Sequence, residues 1–473
     1  MLLTATLPPF DLWWLGPVGV AVLVAVLPGL GWRGRALVGF AAGLGWFVPG
    51  LWWVTQFHAA GWVAIVLTES ALMALGMAAV PRGAVAVGLP AALVLVEAVR
   101  GRWPFGGLPL AGLDIGQADG PLLAAARIGG HLLLVALVGL AGVGLAALVR
   151  RRWVAGVACL GATVAVAGAG ALAPDGSATG TTLAVAAVQG GGPRGLRAVD
   201  SDERLVLERH VAASAEVPVG TDLVLWPEDV VDTPGPYAGS AAERAVQETV
   251  RRLGTTVVVG VVEDVGGGDR FRNAAIAYDP HGRQVDRYDK VHRVPFGEYI
   301  PFRSLLDRVA DVSAVPRDAI AGTGPGVLDT PAGRMAVAIS FEVFFADRAR
   351  SGVEAGGRLL LVPTNASSFT TSQVPAQEVA VARLRAVETG RSVVQAAPTG
   401  YSAVIDHRGR VAAQGPLGAQ AVVTGVVGMR TGRTLALVLG DWPVVVVAVG
   451  GVVVARKLSR QDLGMLPEGE RLE

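Results

Sequence analysis

The chain has 473 residues, a length that predicts two or more domains rather than one. Apolar residues make up 52% of it and charged residues only 17%, so the apolar excess must lie against something other than water. The net charge of +1 gives no overall field that would attract nucleic acid or a strongly acidic partner, and the single cysteine, Cys159, excludes an internal disulfide and two-cysteine metal sites.

Long apolar segments separated by short polar hinges fill residues 1–175. Each approaches the ~20 residues that a helix needs to cross about 30 Å of hydrocarbon. We predict six spans, near 12–30, 36–56, 61–80, 83–99, 132–149 and 153–172. A multi-span α-helical membrane bundle is therefore expected over residues 1–175.

Residues 176–432 differ, because charges recur every few residues and short apolar runs alternate with helical patterns. Nearly continuous apolar runs are typical of buried strands, and they occur at 183–188, 222–226, 256–262, 335–339, 358–363 and 393–397. Helical patterns occupy 241–253 and 375–390, and two further strand pairs are expected to turn at 279–282 and 406–409. The alternation predicts an α/β layered domain inserted into the membrane protein.

A seventh apolar segment at 434–455 predicts a C-terminal membrane helix over residues 433–456, followed by a cytoplasmic tail over 457–473. Its Asp441 is costly in lipid and is expected near an interface or facing the bundle.

Basic residues predict the orientation of the chain in the membrane. Those in the loops after spans one, three, five and seven all fall on one side: Arg33, Arg35, Arg82, Arg150, Arg151, Arg152, Arg456, Lys457 and Arg460. The positive-inside rule assigns this side to the cytoplasm, so the inserted domain is expected to be extracytoplasmic. The same count places the N-terminus outside, from which we expect that a first helix is missing from the sequence.

Three predicted strands run into polar residues at their carboxyl ends, where sites in α/β folds usually lie. Glu228 follows 222–226, Ser340 follows 335–339, and Thr364 follows 358–363. Between the first two lies the segment YDKVHRVPFGEYIP at 288–301. Its lysine is one of only two lysines in a chain with 40 basic residues, which indicates a requirement for an ammonium group at this point.

These segments resemble a known superfamily. WPED at 226–229, DKVHRVPFGEYIPFR at 289–303, AISFEVFF at 338–345 and ARLRAVETGR at 382–391 resemble the nitrilase (carbon–nitrogen hydrolase) superfamily, which implies an α/β nitrilase-like αββα sandwich. The membrane spans and the long PFGEYIPFR motif narrow the resemblance to apolipoprotein N-acyltransferases. FDLWWL near the start and RGRWPFGGLPL at 100–110 resemble the membrane part of that family.

The resemblance implies a Glu-Lys-Cys catalytic set. Glu228 matches the general base and Lys290 the oxyanion-stabilising cation, while Ser340 stands where the family has the cysteine nucleophile. Three further residues match supporting positions: Glu298, Phe341 and Glu342. The stretch ASSFTT at 366–371 departs from the family pattern, so no loop contacts are transferred to it.

The resemblance also implies an activity, its partners and a location. A fatty acyl group passes from a membrane phospholipid to the nucleophile, and then to the terminal amino group of a lipoprotein's diacylglyceryl-cysteine, without a metal or other cofactor. The implied location is the bacterial inner membrane.

Because a serine hydroxyl is a far weaker acid than a thiol, activity is expected to be reduced or absent. Two alternatives stay open. One is another membrane-bound nitrilase-type amidase or acyltransferase, and the other is a catalytically silent paralogue that acts as a binding or scaffold protein.

Overall fold

The computed structural model describes residues 1–56, 58–192, 202–267, 269–308, 315–365 and 372–464. These form two compact units, one of Met1–Pro174 with Thr434–Glu473 and one of Asp175–Arg433. The stretch at 366–371 and the end of the predicted tail, 465–473, lie outside the described residues.

The first unit is helical. It begins with six helices: α1 Leu15–Val26, α2 Trp32–Gly50, α3 Ala59–Ala79, α4 Val85–Arg100, α5 Ala126–Val149 and α6 Trp153–Leu172. Among the described residues, four helices are long and apolar enough to cross a membrane: Ala59–Ala79, Leu123–Val149, Trp153–Leu172 and Trp442–Ser459. The predicted helical, membrane-spanning character of this unit is thereby confirmed.

Three predicted spans contain helices outside that set of four. Helix α1 has 12 residues and reaches only about 18 Å, since Pro28-Gly29 follows its end and proline disfavours further helix. Helix α4 has 16 residues. Helix α2 has 19 residues, but it opens with two arginines, Arg33 and Arg35, in its first four positions.

The second unit contains two mixed sheets. Its described strands are β1 Ser177–Gln189, β2 Leu223–Leu225, β3 Val231–Thr233, β4 Thr256–Val265, β5 Arg270–Tyr278, β6 Gln284–Asp289, β7 Asp318–Ala319, β8 Val327–Thr330, β9 Gly333–Val337, β10 Leu360–Pro363, β11 Val393–Ala396, β12 Ala403–Ile405, β13 Val411–Gln414 and β14 Ala421–Thr431. The first sheet runs β14-β1-β2-β4-β5-β6, with β3 beside β4 and β7 beside β5. The second runs β13-β12-β11-β10-β9-β8.

Four helices cover the outer faces of the two sheets: α7 Glu203–Ala213, α8 Ala241–Leu253, α10 Ala346–Glu354 and α11 Val374–Thr389. A short helix, α9 Arg303–Leu306, lies between β6 and β7 in the chain. Val246 and Val250 of α8 pack on the outer face of the first sheet, and α10 and α11 contact the second. Apolar side chains of the two sheets, such as Leu225 and Leu361, share one core between them. The layers are therefore α, β, β and α, as the resemblance implied.

The predicted helices and turns of this unit are confirmed. The pattern at 241–253 forms α8, whose first turn is capped by the Ser240 hydroxyl accepting from Glu243 N, and which ends at Gly254 in the left-handed conformation. The pattern at 375–390 forms α11, and the turns at 279–282 and 406–409 join β5 to β6 and β12 to β13. Each predicted strand also overlaps an observed one, whereas the sequence predicts none of β3, β7, β8 and β14.

The chain returns to the helical unit through α12 Leu435–Leu439 and α13 Trp442–Gly464. Asp441, between these helices, is buried, and its carboxylate accepts a hydrogen bond of 2.8 Å from Arg102 Nη2. Pairing with a cation lowers the cost of a carboxylate beside apolar helices.

Candidate active site

Lys290 lies at the centre of a buried charge cluster. It directly follows β6, and its Nζ donates to Glu228 Oε1 at 2.8 Å and to Glu298 Oε1 at 2.6 Å. Burial disfavours the Lys290 ammonium, but the two carboxylates outweigh that effect and raise its pKa above the ordinary value. The structure thus brings three of the predicted residues together, with the lysine held in its charged form.

Asn273, in the middle of β5, joins the same cluster. Its Nδ2 donates to Glu228 Oε1 at 2.7 Å and to Glu298 Oε1 at 3.3 Å. The backbone carbonyl of Asn273 accepts from Lys290 N at 2.8 Å. Sequence analysis missed this residue. The available indication was a polar residue at the start of the apolar run AAIAY, where strand burial begins.

Glu298 is positioned by its own loop as well as by Lys290. Its Oε2 accepts from Val294 N at 2.8 Å, and its backbone N–H donates to Val294 O, also at 2.8 Å. Burial raises the pKa of Glu298, with the Lys290 charge opposing the rise. The PFGEYIP loop therefore holds its carboxylate rigidly against the ammonium.

Ser340 stands at a sharp turn. It opens the 3₁₀ turn Ser340–Phe344, which is separated from the end of β9 by two residues, and its φ of +50° lies in the left-handed region. A residue with a Cβ seldom adopts this backbone conformation. The conformation costs of order 1 kcal/mol or more and persists only where the surroundings impose it. Asp229, after Glu228, also has a positive φ of 58°. Such strain at the ends of two strands is typical of functional sites.

The Ser340 hydroxyl is bound by residues that follow β10. Its Oγ lies 3.2 Å from Thr364 Oγ1 and accepts from Asn365 N at 3.5 Å, and Asn365 Nδ2 donates to Asp229 Oδ2 at 3.0 Å. In the described part of the chain, Ser340 makes no hydrogen bond to Glu228 or Lys290. The residues after β2, β9 and β10 are thus linked, although the nucleophile position does not touch the charge cluster directly.

Glu342 and Phe341 shape this turn. The buried Glu342 carboxylate accepts backbone hydrogen bonds from Val291, His292 and Ile339 at 2.9–3.0 Å, so it fastens the Ser340 turn to the segment that carries Lys290. Phe341 is buried and packs edge-on against the ring of Phe345 at 5.0 Å. Both residues support the geometry of the turn.

A further carboxyl group, Glu378 on α11, lies beside Thr364. Its Oε1 is 2.6 Å from Thr364 Oγ1, and the side chain is buried. Burial raises the pKa of Glu378 to about 8, with Glu228 adding to the rise and the Thr364 and Ser340 hydroxyls and Lys290 opposing it. Sequence analysis did not single out Glu378. The available indication was that Glu378 directly precedes the apolar residues VAVA of a helix, where a carboxylate is expected to be buried.

These groups fit acyl-transfer chemistry. Such a reaction needs a nucleophile, a base that removes its proton, and positive charge for the tetrahedral oxyanion. Ser340, the two carboxyl groups Glu228 and Glu378, and the Lys290 ammonium provide these three kinds of group in one part of the sandwich.

Comparisons with known proteins agree with this chemistry. The chain matches the carbon-nitrogen hydrolase family over residues 184–435 and the apolipoprotein N-acyltransferase N-terminal domain over residues 1–144. It is 29% identical to the apolipoprotein N-acyltransferase of Photobacterium profundum, over 99% of this chain and 95% of that protein. It is 30% identical to the protein of that name from Methylococcus capsulatus, over 97% and 94%. The Mycolicibacterium smegmatis protein is also 30% identical, over 94% and 82%.

The inserted sandwich and its buried Glu–Lys cluster therefore define a carbon–nitrogen hydrolase domain. The apolar helices, the match of the N-terminal domain and the relatives that align over nearly the whole length extend the family assignment from this domain to the entire chain. The chain belongs to the apolipoprotein N-acyltransferase family and is a membrane protein.

Proposed function

We propose that this protein transfers a fatty acyl group from a membrane phospholipid to the terminal amino group of a lipoprotein's diacylglyceryl-cysteine, with Ser340 as the acyl carrier. The observation that supports this most is the buried Lys290 ammonium, held by Glu228 and Glu298 in a chain of this family. A charged, desolvated ammonium is a strong stabiliser of a developing oxyanion.

The proposed reaction has two halves. In the first, the Ser340 oxygen bonds to the acyl carbon, the ester bond breaks, and the lysophospholipid leaves as an alcohol after receiving a proton. In the second, the lipoprotein amine attacks the acyl-enzyme, loses a proton, and Ser340 recovers its own. Glu228 is the general base that the family resemblance implies, and Lys290 stabilises the oxyanion in both halves.

Serine at the nucleophile position limits the rate. A thiol has a reference pKa near 8.5, whereas a serine hydroxyl is a far weaker acid and a carboxylate is a poor base for it. We therefore propose that turnover is weak while binding of phospholipid and lipoprotein is retained. Ser340 is also the observation that favours a second function, a catalytically silent paralogue that acts as a binding or scaffold protein.

A mass measurement tests the proposal. The purified full chain, incubated with phosphatidylethanolamine vesicles, is expected to gain the mass of one acyl group in a small fraction of molecules. A diacylglyceryl-cysteine peptide should then remove that mass and become triacylated. If neither this chain nor its Ser340→Cys variant gains the acyl mass, the silent-paralogue function replaces the enzymatic one.

We further propose that the sandwich is extracytoplasmic, because the basic loops of the helical unit fall on the opposite side. In a background with Cys159 replaced by alanine, a cysteine at Ala241 should react with an impermeant maleimide in intact spheroplasts. A cysteine tag near Leu463 should react only after the membrane is permeabilised. The reverse labelling pattern would overturn the orientation, and with it the access of exported lipoproteins to the site.

A further inference from the structure

Three side chains form a hydrogen-bonded row that ends on the nucleophile position. Ser340 Oγ lies 3.2 Å from Thr364 Oγ1, which lies 2.6 Å from Glu378 Oε1. A hydroxyl has a single proton to donate. When Glu378 is ionised, Thr364 must donate to the carboxylate, and its oxygen is then available to accept the proton of Ser340. When Glu378 is protonated, the carboxyl group donates to Thr364 and the order of the row reverses.

All three members of the row are buried, with Thr364 and Glu378 at 0% and 4% exposure. In the described part of the chain, the second oxygen of Glu378, Oε2, is buried without a hydrogen-bond partner. A buried carboxylate bonded at one oxygen keeps unused basicity, because no cationic side chain of the described residues is hydrogen-bonded to it.

The charged groups around Glu378 come from several elements. Glu228 after β2 and Lys290 after β6 act on it electrostatically, with opposite signs. On its own helix, Arg385 pairs with Glu388 and donates to Val343 O at 3.0 Å. Arg348 of α10, the helix packed beside α11, donates to Tyr288 at 2.7 Å and lies 3.6 Å from Glu342. No arginine among the described residues forms an ion pair with Glu378. Its carboxyl group is therefore not held ionised by a bonded cation, and its charge depends on pH.

We propose that Glu378 is a positioning residue that acts through the Thr364 hydroxyl to draw the proton from Ser340 as Ser340 attacks an acyl ester. The inference rests on the proposed function and changes one assignment in it. The resemblance implies Glu228 as the base for a cysteine nucleophile, whereas the proton of the Ser340 hydroxyl passes to Glu378. Glu228 makes no hydrogen bond to that hydroxyl in the described geometry, whereas Glu378 reaches it through one intervening oxygen.

The proton transfers balance within this row. As the bond from Ser340 Oγ to the acyl carbon forms, the Ser340 proton moves to Thr364 and the Thr364 proton moves to Glu378. When the ester bond breaks, Glu378 returns a proton to Thr364, and Thr364 passes its proton to the oxygen of the leaving alcohol instead of to Ser340. The amine of the acceptor then loses its proton along the row, and Ser340 regains it when the amide leaves.

The inference predicts a pH dependence for the reactivity of Ser340. Since burial places the pKa of Glu378 at about 8, the rate of Ser340 modification should rise with pH as Glu378 ionises and level off above that value. A hydroxyl activated only by hydroxide ion would instead continue to rise with pH and show no plateau.

The test uses the purified full chain and an alkyl fluorophosphonate, which forms an oxygen–phosphorus bond with Ser340 and releases fluoride. Labelling rates between pH 6 and 10 are followed by intact mass. Glu378→Gln and Thr364→Val should each lower the rate at pH 8.5 about tenfold or more and abolish the plateau. Thr364→Ser, which restores the hydroxyl, should keep both. Glu248→Gln, at an exposed glutamate of α8, is the matched control and should behave like the unmodified chain.

The outcomes separate this inference from the proposed function. If Glu378→Gln or Thr364→Val folds and keeps the plateau of the unmodified chain, the inference is overturned. If phosphatidylethanolamine vesicles give no acylated Ser340 while labelling still depends on Glu378 and Thr364, the proposed function fails and the role of Glu378 stands.

Discussion

Replacing Ser340 with cysteine is expected to raise acyl transfer from phospholipid by about 100-fold or more, equivalent to about 3 kcal/mol of barrier. A few per cent of a free thiol is already thiolate at neutral pH, so removal of its proton is no longer the main obstacle. The strained turn that presents residue 340 and the Lys290 ammonium stay in place, so the thiolate acts beside the same proposed oxyanion-stabilising group. The measurement is the rate at which a diacylglyceryl-cysteine peptide becomes triacylated.

The intermediate provides the second measurement. Neutral hydroxylamine should remove the acyl mass from the Ser340→Cys variant, since it cleaves thioesters, and peptide mapping should place that mass at residue 340. Ser351→Cys on α10 is the control for a new thiol in the same domain, and it should neither gain acyl mass nor change the rate. If the serine chain already turns over as fast as its cysteine variant, the mechanism proposed here is wrong at its first step.

The sequence predicts the core of the sandwich well because each central strand is a short, continuous apolar run. Strand β4 is an example, since Thr256 through Val262 are all buried and the pattern needs no knowledge of a partner. Strand β14 shows the limit. It lies at the edge of the first sheet, its burial is irregular, and it pairs with β1 from far earlier in the chain. Its pairing is set by long-range contacts that no local pattern expresses.

The same distinction applies to the site. Glu228, Lys290 and Ser340 could be predicted because each lies within three residues of the end of a strand and in a contiguous motif. Asn273 and Glu378 could not, since one lies within a strand and the other on a helix, and both reach the site only through tertiary packing. The sequence therefore predicts Glu228, Lys290 and Ser340, the residues of the proposed catalytic set. The structure is needed to identify Asn273 and Glu378, which are hydrogen-bonded to that set directly or through Thr364.

Lys290→Arg, made in the Ser340→Cys background, is expected to reduce acyl-enzyme formation by about 100-fold or more while the protein stays folded. A preorganised donor to an oxyanion typically contributes about 3–4 kcal/mol. The Lys290 ammonium occupies a buried point 2.8 Å from Glu228 Oε1 and 2.6 Å from Glu298 Oε1. The planar guanidinium keeps the charge but is wider, so it cannot bond both carboxylates and also present a compact charge to the developing oxygen.

The chain itself supplies the control for this substitution. Lys457, the other lysine of the sequence, lies on α13, and Lys457→Arg should leave acyl-enzyme formation unchanged. Thermal unfolding should separate the loss of chemistry from a loss of structure. Lys290→Arg preserves the charge balance of the cluster, whereas Lys290→Met leaves two buried carboxylates uncompensated and should destabilise the fold by about 3–5 kcal/mol. If Lys290→Arg keeps more than about a tenth of the rate, a loss below ~1.4 kcal/mol, then Lys290 is a structural partner of Glu228 and Glu298 and does not stabilise the oxyanion.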